Sequence, residues 1–392
     1  MRARDPGSSR KFGFEEVTLE RIEATYRVLS ATDGSVAMAR SIAVELTVEV
    51  PESLISRHPG IESEIVAKVE DLHEISPGLQ QLTLSFAGEL AGSDLTRWLN
   101  LLLGNCSMMP GVRLIGLRLP DDVLRGFPGP NHGISGVREL TGVHDRPLVA
   151  TALKPRGAPL ADLVKVCRDF IAGGGDLIKD DHNLLDDDLA SFRDRIERCT
   201  AAVRETEGDR HVLYLVNLMA PAEELDARLE VALEAGADGA LMAPWVIGLD
   251  RVRELTSRWP GVHIGHPSMS GVLTAHRDGG ISLPIVHGTL ARLAGLDGSV
   301  FVNAGGRFST TREQGRQIAE QLRAPLGHIA PGWAIPAGGM SLDRIPEMIE
   351  DFGSDTMLLI GGALLADEKG VEEATVSILE LVRDRFTRPK GS

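Results

Sequence analysis

The sequence predicts an α/β chain dominated by a (β/α)8 TIM barrel and preceded by a smaller α+β unit. Two observations carry this. From Leu148 onward eight short apolar runs recur, each followed by a helical stretch. Buried strands alternating with helices imply a parallel sheet, and eight units are the count of a closed barrel. Ahead of them a Gly/Pro-rich connector, Phe127-Pro-Gly-Pro-Asn-His-Gly133, breaks the pattern. The expected division is an N-terminal domain over residues 1–140 and a catalytic barrel over residues 141–392. An open doubly wound sheet is the competing architecture, because strand count alone does not prove closure.

In the first unit Ser41–Val50 alternates as a strand ending at Pro51. Ile61–Leu72 reads as an amphipathic helix, Gln80–Phe86 as a second strand, and Leu95–Leu103 as a helix followed by Gly104-Asn105. The barrel strands are Leu148–Pro155, Leu177–Asp181, Val212–Met219, Ala240–Val246, Val262–Ser268, Val300–Gly306, Ala334–Gly339 and Met357–Gly362. Amphipathic stretches at Ala161–Ala172, Ala222–Ala235, Arg312–Arg323 and Leu342–Phe352 lie between them.

Composition excludes several function classes. A net charge of -15 disfavours nucleic acid and anionic membranes as partners. No apolar run reaches the roughly 18–20 residues of a membrane span. Met1–Arg10 lacks the apolar stretch of a secretory signal, and Cys106, Cys167 and Cys199 show neither paired nor CxxC spacing. A reducing, cytoplasmic location is the expectation. Lysine is scarce: only seven of the 41 basic residues are lysines. A lysine inside an apolar strand therefore calls for a reason, and lysine, unlike arginine, can lose its proton when buried.

Function in such a barrel gathers at the carboxyl ends of the strands. Strand one ends Leu153-Lys154-Pro155-Arg156 and strand two ends Ile178-Lys179-Asp180-Asp181-His182-Asn183. Strand three carries Asn217, strand five ends Gly265-His266-Pro267, and strand six ends Asn303-Ala304-Gly305-Gly306-Arg307. Strands seven and eight end in Gly338-Gly339 and Gly361-Gly362. Lys179 and Asp181, two apart, point to the same face, the barrel interior, while Asp180 points outward. They are either a buried structural ion pair or a lysine that captures carbon dioxide as a carbamate and, with Asp181, holds a hard cation such as magnesium. Lys154 is either a snorkelling lysine or, beside a second buried lysine, a general base. His266 is a packed core histidine or a catalytic one in about equal measure. The two glycine pairs let backbone amides approach an anion closely, and the loops after strands seven and eight are a habitual phosphate site of this barrel.

These residues resemble the RuBisCO large-subunit family. Gly173-Gly-Gly-Asp-Leu-Ile-Lys-Asp-Asp181 is similar to its carbamylated-lysine motif. Phe127–Ile134, Arg146-Pro-Leu and Leu153-Lys-Pro155 resemble the segment leading into its first barrel strand. Gly104-Asn105, Ala337-Gly-Gly339 and Gly361-Gly362 match in order and spacing, and the likeness runs from about Ser41 to about Val382. The resemblance implies a ferredoxin-like N-terminal domain and a carbamylated Lys179 that binds Mg2+ together with Asp181. It further implies Lys154 as the enolising base, His266 as a substrate contact, and Gly338, Gly339, Gly361 and Gly362 as phosphate amides, with Arg307 beside them. Glu45 and Asn105 match residues that close over the barrel of a partner subunit, which implies a head-to-tail homodimer with shared active sites.

The departures are specific. The family's third metal ligand, a glutamate, is His182 here, and an imidazole is a poor magnesium ligand. The arginine after the strand-five histidine is Pro267, the strand-six histidine aligns with Asn303, and the stretch from Arg307 to Pro331 contains no lysine. The chain therefore resembles the RuBisCO-like (form IV) group. The resemblance implies enolate chemistry, of isomerase or tautomerase type, on a phosphorylated keto-sugar without carbon dioxide fixation. Alternatives are a decarboxylase of a phosphorylated oxo-sugar acid, a Schiff-base aldolase, and a non-catalytic sugar-phosphate sensor.

Overall fold

The computed structural model describes residues 19–29, 34–306 and 308–387, so Arg307, expected near the phosphate, lies outside the described residues. The N-terminal unit is an antiparallel sheet of β1 (Ile22–Leu29), β2 (Lys68–Ser76), β3 (Leu79–Phe86) and β4 (Val112–Arg118), in the order β4-β1-β3-β2. Helices α1 (Ser35–Thr47) and α2 (Leu95–Leu102) fill the two crossovers, which gives the ferredoxin-like order. Alternation makes the sheet's inner face: Ile22, Ala24, Tyr26 and Val28 are buried on β1 and meet Ile42 and Leu46 of α1 and Trp98 of α2 in one core.

Two sequence expectations fail here. Ser41–Val50 is not a strand but mostly the second half of α1. Its buried residues Ala39, Ile42, Ala43 and Leu46 recur every three or four positions, so the helical period wins over a coincidental alternation. Ile61–Leu72 is not a helix: a short turn of helix at Ile61–Ile65 gives way to β2, which pairs with β3 across Pro77-Gly78. Strands β1 and β4, unread in the sequence, complete the sheet.

The barrel strands are β5 (Leu148–Leu153), β6 (Leu177–Asp180), β7 (Leu213–Asn217), β8 (Gly239–Met242), β9 (Val262–Gly265), β11 (Gly298–Val302), β12 (Trp333–Ala337) and β13 (Met357–Leu359). All pair in parallel; β13 pairs with β5, and a bridge from Ala334 to Thr356 joins β12 to the start of β13, so the sheet closes. Inward residues such as Leu177, Leu215, Ile264 and Trp333 form a separate interior cluster, while Ile178, Val216 and Phe301 face the surrounding helices. Between β9 and β11 a two-residue strand, β10 (Gly280–Ile281), leaves the barrel and pairs with β4 of the first sheet. Among the described residues no helix is long and apolar enough to cross a membrane, and all three cysteines are buried and free of disulfides.

Candidate active site

Strand β6 is anchored by its outward residue. Asp180, fully buried, takes a 2.6 Å ion pair from Arg195 and accepts hydrogen bonds from the Tyr214 hydroxyl at 2.9 Å and the Asn217 amide at 2.9 Å. With the outward side chain pinned on three sides, period-two geometry sends Lys179 and Asp181 inward.

There they line a cavity of about 1030 Å³ at the carboxyl ends of the strands, together with Lys154, His182, His266 and all four glycines Gly338, Gly339, Gly361 and Gly362. Lys154 Nζ lies 2.9 Å from Asp181 Oδ2, and His182 Nδ1 lies 3.3 Å from Asp181 Oδ1. Lys179 Nζ donates to the Asp180 carbonyl at 2.9 Å. Burial, reinforced by Lys154 and opposed by Asp181 and Asp180, pushes the Lys179 ammonium down to about 8. Desolvation works to raise the Asp181 carboxyl, but the Asn183 amide, Lys154 and Lys179 outweigh it and hold it below its ordinary value.

The rings of His182 and His266 stack with centroids 3.9 Å apart and planes 15° from parallel. His266 Nδ1 accepts from the Ser268 amide at 3.2 Å and shares a 2.8 Å hydrogen bond with the Ser268 hydroxyl. The ring proton therefore belongs on Nε2. Burial, with Lys179 and His182 adding to it, pushes His266 down to about 2, so the ring is neutral.

Glycine at 361 has a specific cause: a Cβ there would stand 3.3 Å from Lys154 Cε. Gly338 and Gly339 have φ of +86° and +64°, and a Cβ on Gly339 would meet Gly306 Cα at 2.9 Å. Gly362 has open space around it. The lining also includes the apolar side chains of Leu283, Ile318 and Met340 and the polar groups of Ser270 and His287.

The structure does not bring every expected residue to this cavity. Glu45 and Asn105 are absent from its lining and bond each other, Asn105 Nδ2 donating to Glu45 Oε1 at 3.0 Å. Asn303 turns its amide toward Met348 Sδ at 3.5 Å. Sequence reasoning missed Ser268, Ser270 and His287, which come from the insertion after β9, and Arg344, whose guanidinium donates to the Gly339 carbonyl at 3.0 Å. The only signal for Arg344 was its place five residues after a glycine pair.

Whether the site suits a divalent cation depends on Lys179. Among the described residues no group of three His, Cys, Asp or Glu side chains is set to hold a metal ion. Asp181 and His182 supply two donors on one wall, and Lys179 on the same wall supplies a third only as a carbamate. With that modification the residues fit a cation; without it they do not.

Residues 133–378 match the family described as ribulose bisphosphate carboxylase large chain, catalytic domain. The 5-methylthioribulose-1-phosphate isomerase of Rhodospirillum rubrum is 35% identical over 378 residues, 95% of this chain and 99% of its own. The 2,3-diketo-5-methylthiopentyl-1-phosphate enolase of Bacillus velezensis is 31% identical over 369 residues, 90% of each chain. Among solved structures, a RuBisCO-like protein from Rhodopseudomonas palustris matches with a TM-score of 0.84 at 33% identity, over 95% of this chain and 100% of that one.

Proposed function

The chain belongs to the RuBisCO large-chain family, as a RuBisCO-like protein, and from that premise we propose that it forms and reprotonates an enolate of a phosphorylated keto-sugar with an apolar far end. One observation carries this reading. Lys154, Lys179 and Asp181 meet in a cavity that is also lined by two glycine pairs and by apolar side chains. The names of the two relatives above share a 1-phosphate and a methylthio group, and the glycine amides and apolar side chains of the lining suit those two groups.

The roles follow from position. The amides of Gly338, Gly339, Gly361 and Gly362 bind the phosphate. Lys154 Nζ moves the proton next to the ketone. His266 Nε2–H donates to a substrate oxygen, and the Lys179 end of the cavity faces the developing enolate charge. Lys179 as a carbamate, Asp181 and His182 would hold a divalent cation, which when bound supplies Lewis-acid polarisation of that oxygen. Glu45 and Asn105 complete the site of a second copy in a homodimer, and the chain divides into an N-terminal domain over residues 1–140 and a catalytic barrel over residues 141–392. Pro267 and the absence of lysine from the loop before β12 argue against carboxylation.

Solvent-deuterium exchange tests the reading. The enzyme is incubated in D2O with 5-methylthioribulose 1-phosphate and, separately, with the diketo relative's substrate, with and without bicarbonate and divalent cation. Deuterium gained next to the ketone supports it. Tight substrate binding with no exchange under any condition overturns it in favour of a sugar-phosphate sensor.

A further inference from the structure

The cavity does not end at the barrel wall. On β11, Val300 points into the barrel interior and Phe301 toward the surrounding helices, yet both line the cavity. Ile318 lines it too, although it sits in the second turn of the helix Arg312–Arg323 and packs in the outer core. Leu283 and His287, which follow β10, also line it, and His287 meets Ser299, an outward residue of β11. The cavity therefore passes over the end of β11 into the layer between strand and helix, as a side chamber with a lining of its own.

The chemistry of this chamber differs from that at β5 and β6, where Lys154, Lys179 and Asp181 stand. Among the described residues no charged side chain lines it. Ala275, Leu283, Phe301 and Ile318 are apolar, and Ser270 and His287 are neutral. Its polar atoms already have partners within the protein. The Ser270 hydroxyl donates to the Pro267 carbonyl at 2.8 Å and lies 3.4 Å from His287 Nε2, while Ser299 Oγ lies 3.3 Å from Nδ1. An apolar group can thus enter without leaving a buried polar group unpaired, whereas an anion would lose its water and gain no cation. The whole cavity, about 1030 Å³, is at the top of the range that encloses drug-sized ligands, so a five-carbon sugar phosphate leaves part of it unfilled. We propose that the side chamber receives the uncharged tail of the keto-sugar phosphate and accepts tails longer than a methylthio group. The proposal rests on the reading that the glycine pairs hold the phosphate, and it narrows the substrate class of that site.

The test is calorimetry of the full chain with 1-phosphorylated keto-pentoses that carry methylthio, ethylthio, propylthio or carboxymethylthio at the fifth carbon. Affinity should rise about four-fold for each methylene added between methylthio and propylthio, and the carboxymethylthio compound should bind more weakly than the methylthio one. Ala275→Phe, a change at an exposed position of the lining, should flatten the series. A series that is flat or falls with length in the unaltered protein, or a carboxylate tail bound as tightly as propylthio, would overturn the proposal. So would a full gain with length in an Ala275→Phe variant that melts like the unaltered protein. Deuterium exchange on the methylthio compound separates the two readings. Exchange with a flat series leaves the enolate reading standing and removes the chamber, and a rising series without exchange supports the chamber and removes the enolate reading.

Discussion

Lys154 and Asp181 form an ion pair across the strand one–strand two junction, Nζ to Oδ2 at 2.9 Å, with the carboxylate largely buried and the lysine partly open to the cavity. The lysine proposed to move a proton is thus held by the carboxylate beside Lys179. The two lysines are joined through one acid, and altering either changes the charge felt by the other.

The first prediction separates those lysines. Lys154→Met should lower turnover by roughly 10²–10⁴-fold while substrate still binds, because the phosphate cradle and His266 are untouched. Lys179→Met should also lose turnover. In native mass spectrometry it should lose any bicarbonate-dependent gain of one carbon dioxide, which Lys154→Met keeps. Wild-type activity in Lys179→Met would make that lysine structural.

The glycines should divide into three behaviours. Gly361→Ala places its Cβ 3.3 Å from Lys154 Cε, so it should lower kcat with little change in melting temperature. Gly338→Ala forces a left-handed φ of +86° on alanine, costing about 1 kcal/mol of stability. Gly362→Ala meets nothing and should leave stability alone. Thermal melts set against KM for phosphorylated substrate check all three, and equal stability losses would remove the distinction.

Acid should destabilise the protein before its surface carboxylates titrate. Burial pushes His263 and His287 down to about 4, whereas an unfolded histidine titrates near about 6.5. Below that value the unfolded chain binds more protons than the native one, so stability falls as pH falls and the loss is complete once the native rings protonate. Between about pH 7 and about pH 5 each ring should cost about 2 kcal/mol. Because His266 is depressed as well, His287→Gln should flatten the dependence of melting temperature on pH by roughly a third; an unchanged slope would mean that the ring is already charged in the fold.

Ribulose bisphosphate should not be carboxylated. Asn303 is turned to Met348 Sδ, Pro267 lines the cavity where a cationic side chain would be needed, and no lysine lies between residues 308 and 331. Radiolabelled bicarbonate incorporation at saturating Mn2+ and Mg2+ should stay at background, and a turnover of about one per second would contradict this.

The barrel is legible in the sequence because its strands are buried on both sides. Runs such as Leu213–Asn217 are apolar at nearly every position and are followed by helices of clear period. The first sheet is less so. Strand β2, Lys-Val-Glu-Asp-Leu-His-Glu-Ile-Ser, lies at an edge and is exposed along nearly all its length, so only its pairing with β3 defines it. The strand-end rule located Lys154, Lys179, Asp181, His266 and the glycines. It could not locate His287, Ser270 or Arg344, which reach the site region from an inserted segment and from a helix start, where no periodicity points inward.

The two-residue strand β10 ties the cavity wall to another part of the molecule. The stretch from Ser270 to Leu283 lines the cavity through Ser270, Thr274, Ala275 and Leu283 and pairs with β4 through Gly280 and Ile281, and Arg113 of β4 donates to the Gly279 carbonyl at 2.7 Å. The ferredoxin-like unit is therefore scaffolding for a pocket that it does not itself line. Grafting this barrel alone onto another scaffold would strip the insertion of its strand partner and leave the substrate side open. A chimaera that keeps β4 in register with Gly280 and Ile281 should preserve it, and the two units should change over evolution as a matched pair rather than as exchangeable modules.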